Sequence, residues 1–90
     1  MSVADRVQNR IEYHGSHEEI EELCLDGIEV GAFTPELSGL IANCFNTEYL
    51  TLNECSLASF RHFPHLPKLI AIEAIDNKYI PQHVGSRVPT

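Results

Sequence analysis

The 90-residue chain contains no apolar run of the about 18 residues needed to span a bilayer. Asp5 and Arg6 stand where a secretory signal would place an apolar segment, so an intracellular protein is expected. Cysteine is scarce and odd in number: Cys24, Cys44 and Cys55 each lie in or beside an apolar pattern, which suits reduced thiols acting as small hydrophobes more than a disulfide framework. Basic residues are few, 6 Lys and Arg against 13 Asp and Glu for a net charge of −7, and they do not cluster with aromatics. Direct recognition of nucleic acid is thereby disfavoured. No Ser or Cys sits in a nucleophile elbow or a phosphate loop, so the pattern points away from an enzyme. His62 and His65 have the i, i+3 spacing of a ligand pair, but no Cys-x₂-Cys or Cys-x₄-Cys partner accompanies them, and neither metal nor cofactor is expected. His14, His17 and His83 read as solvated imidazoles on the surface.

What is present is a recurring apolar pattern. Leu69, Ile72, Ala74, Asn77 and Tyr79 fit L-x-x-L-x-L-x-x-N-x-L, the unit of a leucine-rich repeat. Thr47, Leu50, Leu52, Cys55 and Leu57 fit it upstream, with Cys55 where the pattern admits Asn or Cys, and Ile20, Leu23, Leu25, Ile28 and Val30 fit it before that. The fourth positions, Leu23, Leu50 and Ile72, are 27 and 22 residues apart, inside the roughly 20–29 residues of this repeat class. The fold class expected is therefore α/β: a right-handed leucine-rich repeat solenoid of about three repeats, with parallel strands near Leu23–Leu25, Tyr49–Leu52 and Ala71–Ala74 on its concave face. One domain over residues 1–80 follows, divided into a helical cap at 1–19 and repeats near 20–46, 47–68 and 69–80. Asn77 is expected to turn inward and bond backbone groups that the bend would leave unpaired.

Val3, Val7 and Ile11 at four-residue spacing predict a one-sided N-terminal helix laid over the first strand, ended by His14 and Gly15. Ser16 and Glu19 have the spacing of a capping box at a short turn before the first strand. Thr34, Pro35 and Glu36 make a helix start, with Leu37, Leu40, Ile41 and Cys44 as its apolar stripe, so a helix near Pro35–Phe45 is expected, with Asn46 as its stop. Phe60, Phe63, Leu66 and Leu69 lie three apart, while Pro64 and Pro67 forbid a long α-helix, which leaves 3₁₀ turns or extended chain. Periodicity stops after Ile80, and residues 81–90 read as a poorly ordered or end-covering tail.

Strand alternation predicts three columns on the concave face: Glu22 with Tyr49 and Ala71, Cys24 with Thr51 and Glu73, Asp26 with Asn53 and Ile75. Glu21, Glu48, Glu54 and Asp76 flank them. The partner-binding residues proposed on this basis are Glu22, Asp26, Tyr49, Thr51, Asn53, Glu73, Ile75 and Asp76, an acidic surface with one tyrosine and one isoleucine that suits a basic, partly apolar peptide. The alternative is a solvated acidic face that serves solubility. The third strand leaves an uncovered parallel edge, which predicts a homo-oligomer formed end to end.

The segment Glu22–Gly27, the run Leu50–Phe60, and above all Leu66-Pro67-Lys68-Leu69 leading to Asp76 and Asn77 resemble the acidic leucine-rich nuclear phosphoprotein family over about residues 5–80. The resemblance implies a non-enzymatic nuclear adaptor that binds histones and inhibits protein phosphatase 2A, hence basic proteins or a phosphatase subunit as partners and a nuclear or cytoplasmic location. Two features depart from that family. The repeats end after the third, with no acidic tail, and Ala74 replaces the usual large apolar residue. A spliceosomal relative, the A-prime leucine-rich protein of a small nuclear ribonucleoprotein, shares the repeat type, but Leu66-Pro67-Lys68-Leu69 favours the first resemblance.

Overall fold

A computed structural model describes residues 1–78, so the expectations for Tyr79, Ile80 and the 81–90 tail lie outside the described residues. Helix α1 spans Val3–His14. Ser2 caps it reciprocally: its Oγ accepts from the Asp5 N–H at 3.1 Å, and the Asp5 carboxylate accepts from the Ser2 N–H at 3.2 Å, which answers two amides that a helix start leaves free. Gly15 ends the helix at φ 130°, a conformation that a side chain resists, and its N–H returns to the Ile11 carbonyl. Val7 and Ile11 are buried as the spacing predicted, and Val3 packs against the same core.

The capping box expected at Ser16 and Glu19 does not form among the described residues. The Glu19 N–H meets the Ser16 carbonyl at 2.9 Å in an isolated turn. Ile20 is drawn into the core directly afterwards, and the chain extends before another helical turn can close.

Three strands follow, β1 (Glu22–Cys24), β2 (Tyr49–Thr51) and β3 (Ala71–Glu73), in one parallel sheet with β2 at its centre. Leu23 pairs with Leu50 and Leu50 with Ile72 in register. These three point into the core, and their neighbours Glu22, Cys24, Tyr49, Thr51, Ala71 and Glu73 point to the opposite face. Strands of three residues carry few ladder bonds, so burial has to hold them. Leu23, Leu25, Leu50, Leu52 and Leu57 are each at most 1% exposed, worth about 1.5–3 kcal/mol apiece by transfer.

Helix α2, Pro35–Ala42, begins as its sequence indicates, with the Thr34 hydroxyl accepting from the Leu37 N–H at 3.2 Å. It lies beside α1 and turns Leu37 and Ile41 into the common core. It ends at Ala42, short of the Phe45 expected, because the chain tightens there: the Cys44 N–H bonds the Ile41 carbonyl at 2.9 Å, and the Thr47 N–H bonds the Cys44 carbonyl at 3.0 Å. Cys44 is still buried, beyond the helix. Asn46 does not stop the helix; its amide donates to the Glu18 carbonyl at 2.6 Å and ties the approach to β2 onto the turn before β1.

Between Leu57 and Leu69 the chain runs extended through turns at residues 61–62 and 67–68, without 3₁₀ helix. Phe63 sits edge-on to Phe33 and Phe60, with ring centroids 5.4 and 5.9 Å away. Such pairs add about 0.5–1.5 kcal/mol to area burial.

Each strand is followed, at the same offset, by a left-handed residue: Gly27 (φ 83°), Glu54 (φ 57°) and Asp76 (φ 59°). Only the first is glycine, so the other two hold a conformation costing about 1 kcal/mol. Their bends are secured from neighbouring strands, since the Gly27 N–H bonds the Asn53 carbonyl and the Glu54 N–H bonds the Ile75 carbonyl, both at 2.9 Å.

Asn77 is buried and fully used. Its Oδ1 accepts from the N–H groups of Cys55 and Leu57 at 2.9 and 3.0 Å, while its Nδ2 donates to the carbonyls of Leu52 and Ile75 at 2.8 and 3.4 Å. The inward turn expected of it is present. Cys55, at the matching place one strand earlier, donates from Sγ to the Leu25 carbonyl at 3.1 Å. Asn77→Ala would leave two amides buried without acceptors, so it should destabilise the fold by about 3 kcal/mol, as much as Leu50→Ala. Urea denaturation of the two variants checks this, and a loss under about 1 kcal/mol for Asn77→Ala would show that the bend does not depend on the amide.

Candidate functional site

The face of the sheet opposite the core carries the residues singled out from the sequence. Glu22 aligns with Tyr49 and Ala71, and Cys24 with Thr51 and Glu73, as strand alternation required. Tyr49 is 44% exposed at the centre. It stands between two shallow hollows, one of about 170 Å³ lined by His14, Glu22, Cys24 and Thr51, and one of about 200 Å³ lined by Thr51, Ala71 and Glu73. Thr51 shares both. Its Oγ1 is buried and has no hydrogen-bond partner among the described residues.

The third row is joined chemically. The Asn53 N–H donates to Asp26 Oδ1 at 2.8 Å, and Asn53 Nδ2 donates to Asp26 Oδ2 at 3.3 Å and to Glu73 Oε1 at 2.9 Å. Asn53 Oδ1 accepts from the Ile75 N–H at 2.7 Å. One amide therefore extends the sheet past the ends of all three strands. Asp26 and Glu73 were expected as free acidic contacts for a partner; here each also holds Asn53, because a strand this short leaves amides beyond its end that only side chains can answer. Ile75 is 54% exposed next to them. Asp76 does not join the group: it is the exposed left-handed residue of the bend that follows.

Two contributors were not foreseen. Arg10 Nη1 donates to the carbonyls of Cys24 and Asp26 at 3.1 and 3.2 Å, and His14 Nε2 lies 3.3 Å from both the N–H and the carbonyl of Cys24. Since Arg10 already serves that carbonyl, the geometry assigns Nε2 as acceptor of the Cys24 N–H, with the ring proton on Nδ1. Side chains of α1 thus stand where a fourth strand would pair with β1. His14 is exposed, yet it is an edge partner and one wall of the first hollow. The signal available in the sequence was that Arg10 and His14 lie one turn apart, bordering the Val7 and Ile11 stripe. His62 and His65, the pair considered for metal, are both exposed, and no group of three metal-binding side chains occurs among the described residues. No helix among the described residues is long and apolar enough to cross a membrane.

The three thiols are free and differ in setting. Cys24 is half-buried on the open face, while Cys44 and Cys55 are buried in the core. Burial pushes the Cys55 thiol from 9.0 up to about 11 and raises that of Cys44 as well, since a thiolate there would lose its hydration. No protein-family model matches the chain, and no curated protein or solved structure matches it.

A thiol reagent at pH 8 should modify Cys24 alone in the folded protein and all three cysteines after unfolding. Mass spectrometry of the labelled chain checks this. A folded pKa raised above the unfolded one leaves stability intact below pH 9.0; as pH climbs from there towards about 11, the unfolded chain has lost its Cys55 proton and the folded chain has not. Stability should therefore decline across that window. Cys55→Ala should make the decline shallower in denaturation curves taken at successive pH values, and an unchanged slope would exclude Cys55 as its source.

Proposed function

We propose that the chain is a non-enzymatic leucine-rich repeat module whose concave sheet face binds an extended basic segment of another protein, in the manner of the acidic leucine-rich nuclear phosphoproteins. The repeat reading is supported by three parallel strands 27 and 22 residues apart, by the left-handed residue at the same offset after each, and by the inward Asn77. The family resemblance supports histones as the basic partner and, through the same adaptor chemistry, a phosphatase 2A subunit. Three free thiols suit a reducing compartment, nuclear or cytoplasmic.

The observation that carries the binding proposal is Tyr49, 44% exposed between two hollows, with Glu22 and Glu73 on either side. The carboxylates of Glu22, Asp26 and Glu73 attract cationic side chains, and Tyr49 supplies contact area at the centre. Asn53, Ile75 and Asp76 extend the surface at one end.

A second reading rests on β3. No strand pairs with its far edge among the described residues, and Ile70 and Ile75 are 61% and 54% exposed. An end-to-end homo-oligomer, or a structural or spliceosomal adaptor that stacks another repeat there, would use that edge.

Core histones titrated against the labelled domain separate these readings. Under the first, binding weakens as salt rises, and Glu22→Lys or Tyr49→Ala weakens it by about tenfold, because a central anchor is worth 1 kcal/mol or more. The Glu22 side chain makes no hydrogen bond to a described residue and is exposed, so its reversal spares the fold. Unchanged binding in both variants would remove the face as the site. Under the second, sedimentation equilibrium gives a dimer that persists at high salt and that Ile70→Glu dissociates; a monomer of 10.1 kDa at every concentration would exclude it.

A further inference from the structure

In a chain with 13 carboxylates and 6 Lys and Arg, a hollow lined without any carboxylate stands out. Such a hollow, of about 330 Å³, lies between α1 and the bend that follows β1. Arg6, Asn9, Arg10 and Tyr13 form its helical wall, and Gly27 and Ile28 form the other side. Arg6 and Arg10 are one helical turn apart, so both guanidinium groups reach the same space. Among the described residues neither has a carboxylate oxygen within 4.0 Å.

Arg10 is already held in place. Its Nη1 gives both protons to the Cys24 and Asp26 carbonyls, which leaves the donors on Nε and Nη2 uncommitted. The Arg6 side chain makes no hydrogen bond to a described residue, and Asn9 Nδ2 makes only a 3.6 Å contact with the Met1 thioether. Donors thus outnumber acceptors around the hollow. Glu29 lines an adjoining hollow of about 300 Å³ with Arg6, and no ion pair joins the two.

We infer that this hollow binds a phosphate monoester, with Arg6 and Arg10 as its two cationic contacts. Two unneutralised guanidiniums match a dianion more closely than a single carboxylate, and their forked donors fit phosphate oxygens pairwise. Arg10, fixed by two carbonyls, loses little freedom on binding, whereas Arg6 closes from the exposed side. Tyr13, 83% exposed at the rim, offers a ring face to whatever carries the phosphate. The site shares no lining residue with the two hollows of the open sheet face and does not rest on the function proposed above.

Backbone amide shifts followed during titration with inorganic phosphate, O-phosphoserine and a nucleoside monophosphate test it on the full chain at low salt. Saturable shifts confined to Arg6, Asn9, Arg10, Gly27 and Ile28 are expected, with the esters binding at least as tightly as inorganic phosphate. The stronger ester identifies the source, a phosphorylated side chain or a nucleotide. Arg6→Ala should weaken binding by about tenfold or more and Arg6→Lys by less, since lysine keeps the charge and loses the fork. Neither change touches an internal bond, so the amide spectrum confirms the fold in both. Equal shifts in Arg6→Ala and the parent chain would overturn the assignment, as would an absence of saturation into the millimolar range or an equal response to chloride. Glu22→Lys, which should weaken histone binding, should leave phosphate affinity unchanged, so the two proposals fail separately.

Discussion

A sheet of three-residue strands cannot be held by its own ladder, and everything else in this molecule follows from how that shortfall is met. Leu23, Leu50 and Ile72 lie in register beneath the strands and supply the burial that the few backbone bonds cannot. Moving any strand by one residue would bring Glu22, Tyr49 or Ala71 into the core and send a leucine or isoleucine to water, so register and burial specify one another. The helices follow from the same requirement. Val7 and Ile11 from α1, with Leu37 and Ile41 from α2, complete the apolar layer that the sheet needs on its inner side.

Short strands also leave polar groups unanswered at their ends and edges, and side chains answer them. Asn77 serves two amides and two carbonyls at the bend beside β2, Asn53 and Asp26 extend the pairing beyond the strand ends, and the Thr47 hydroxyl donates to the Ile20 carbonyl at 3.1 Å where β1 is approached. At the β1 edge, Arg10 and His14 take the place of a neighbouring strand. An exposed parallel edge invites association, and covering it with side chains from a helix is one way to prevent that. The far side of β3 has no such cover among the described residues. The two ends of the sheet therefore differ in kind.

The open face inherits both roles. Asp26 and Glu73 hold Asn53 and also present negative charge, so the framework and the surface share groups, while the side chains of Glu22 and Tyr49 make no hydrogen bond to a described residue. Thr51 lies between them, its hydroxyl without a partner among the described residues.

By itself, the sequence determined what depends on neighbours along the chain. The four-residue spacing of Val7 and Ile11, the Thr34-Pro35 start of α2, the alternation through Leu23, Leu50 and Ile72, and the inward Asn77 were all legible, because helix and strand periods and capping chemistry are local. Only the tertiary structure decided what depends on pairs 14 to 28 residues apart: Arg10 on Cys24, Asn46 on Glu18, and Asn53 between Asp26 and Glu73. A periodic pattern states which side of an element faces inward. It carries no information about which polar group lies across the gap, since that distance is set by register and helix placement, and those settle only when the whole core closes.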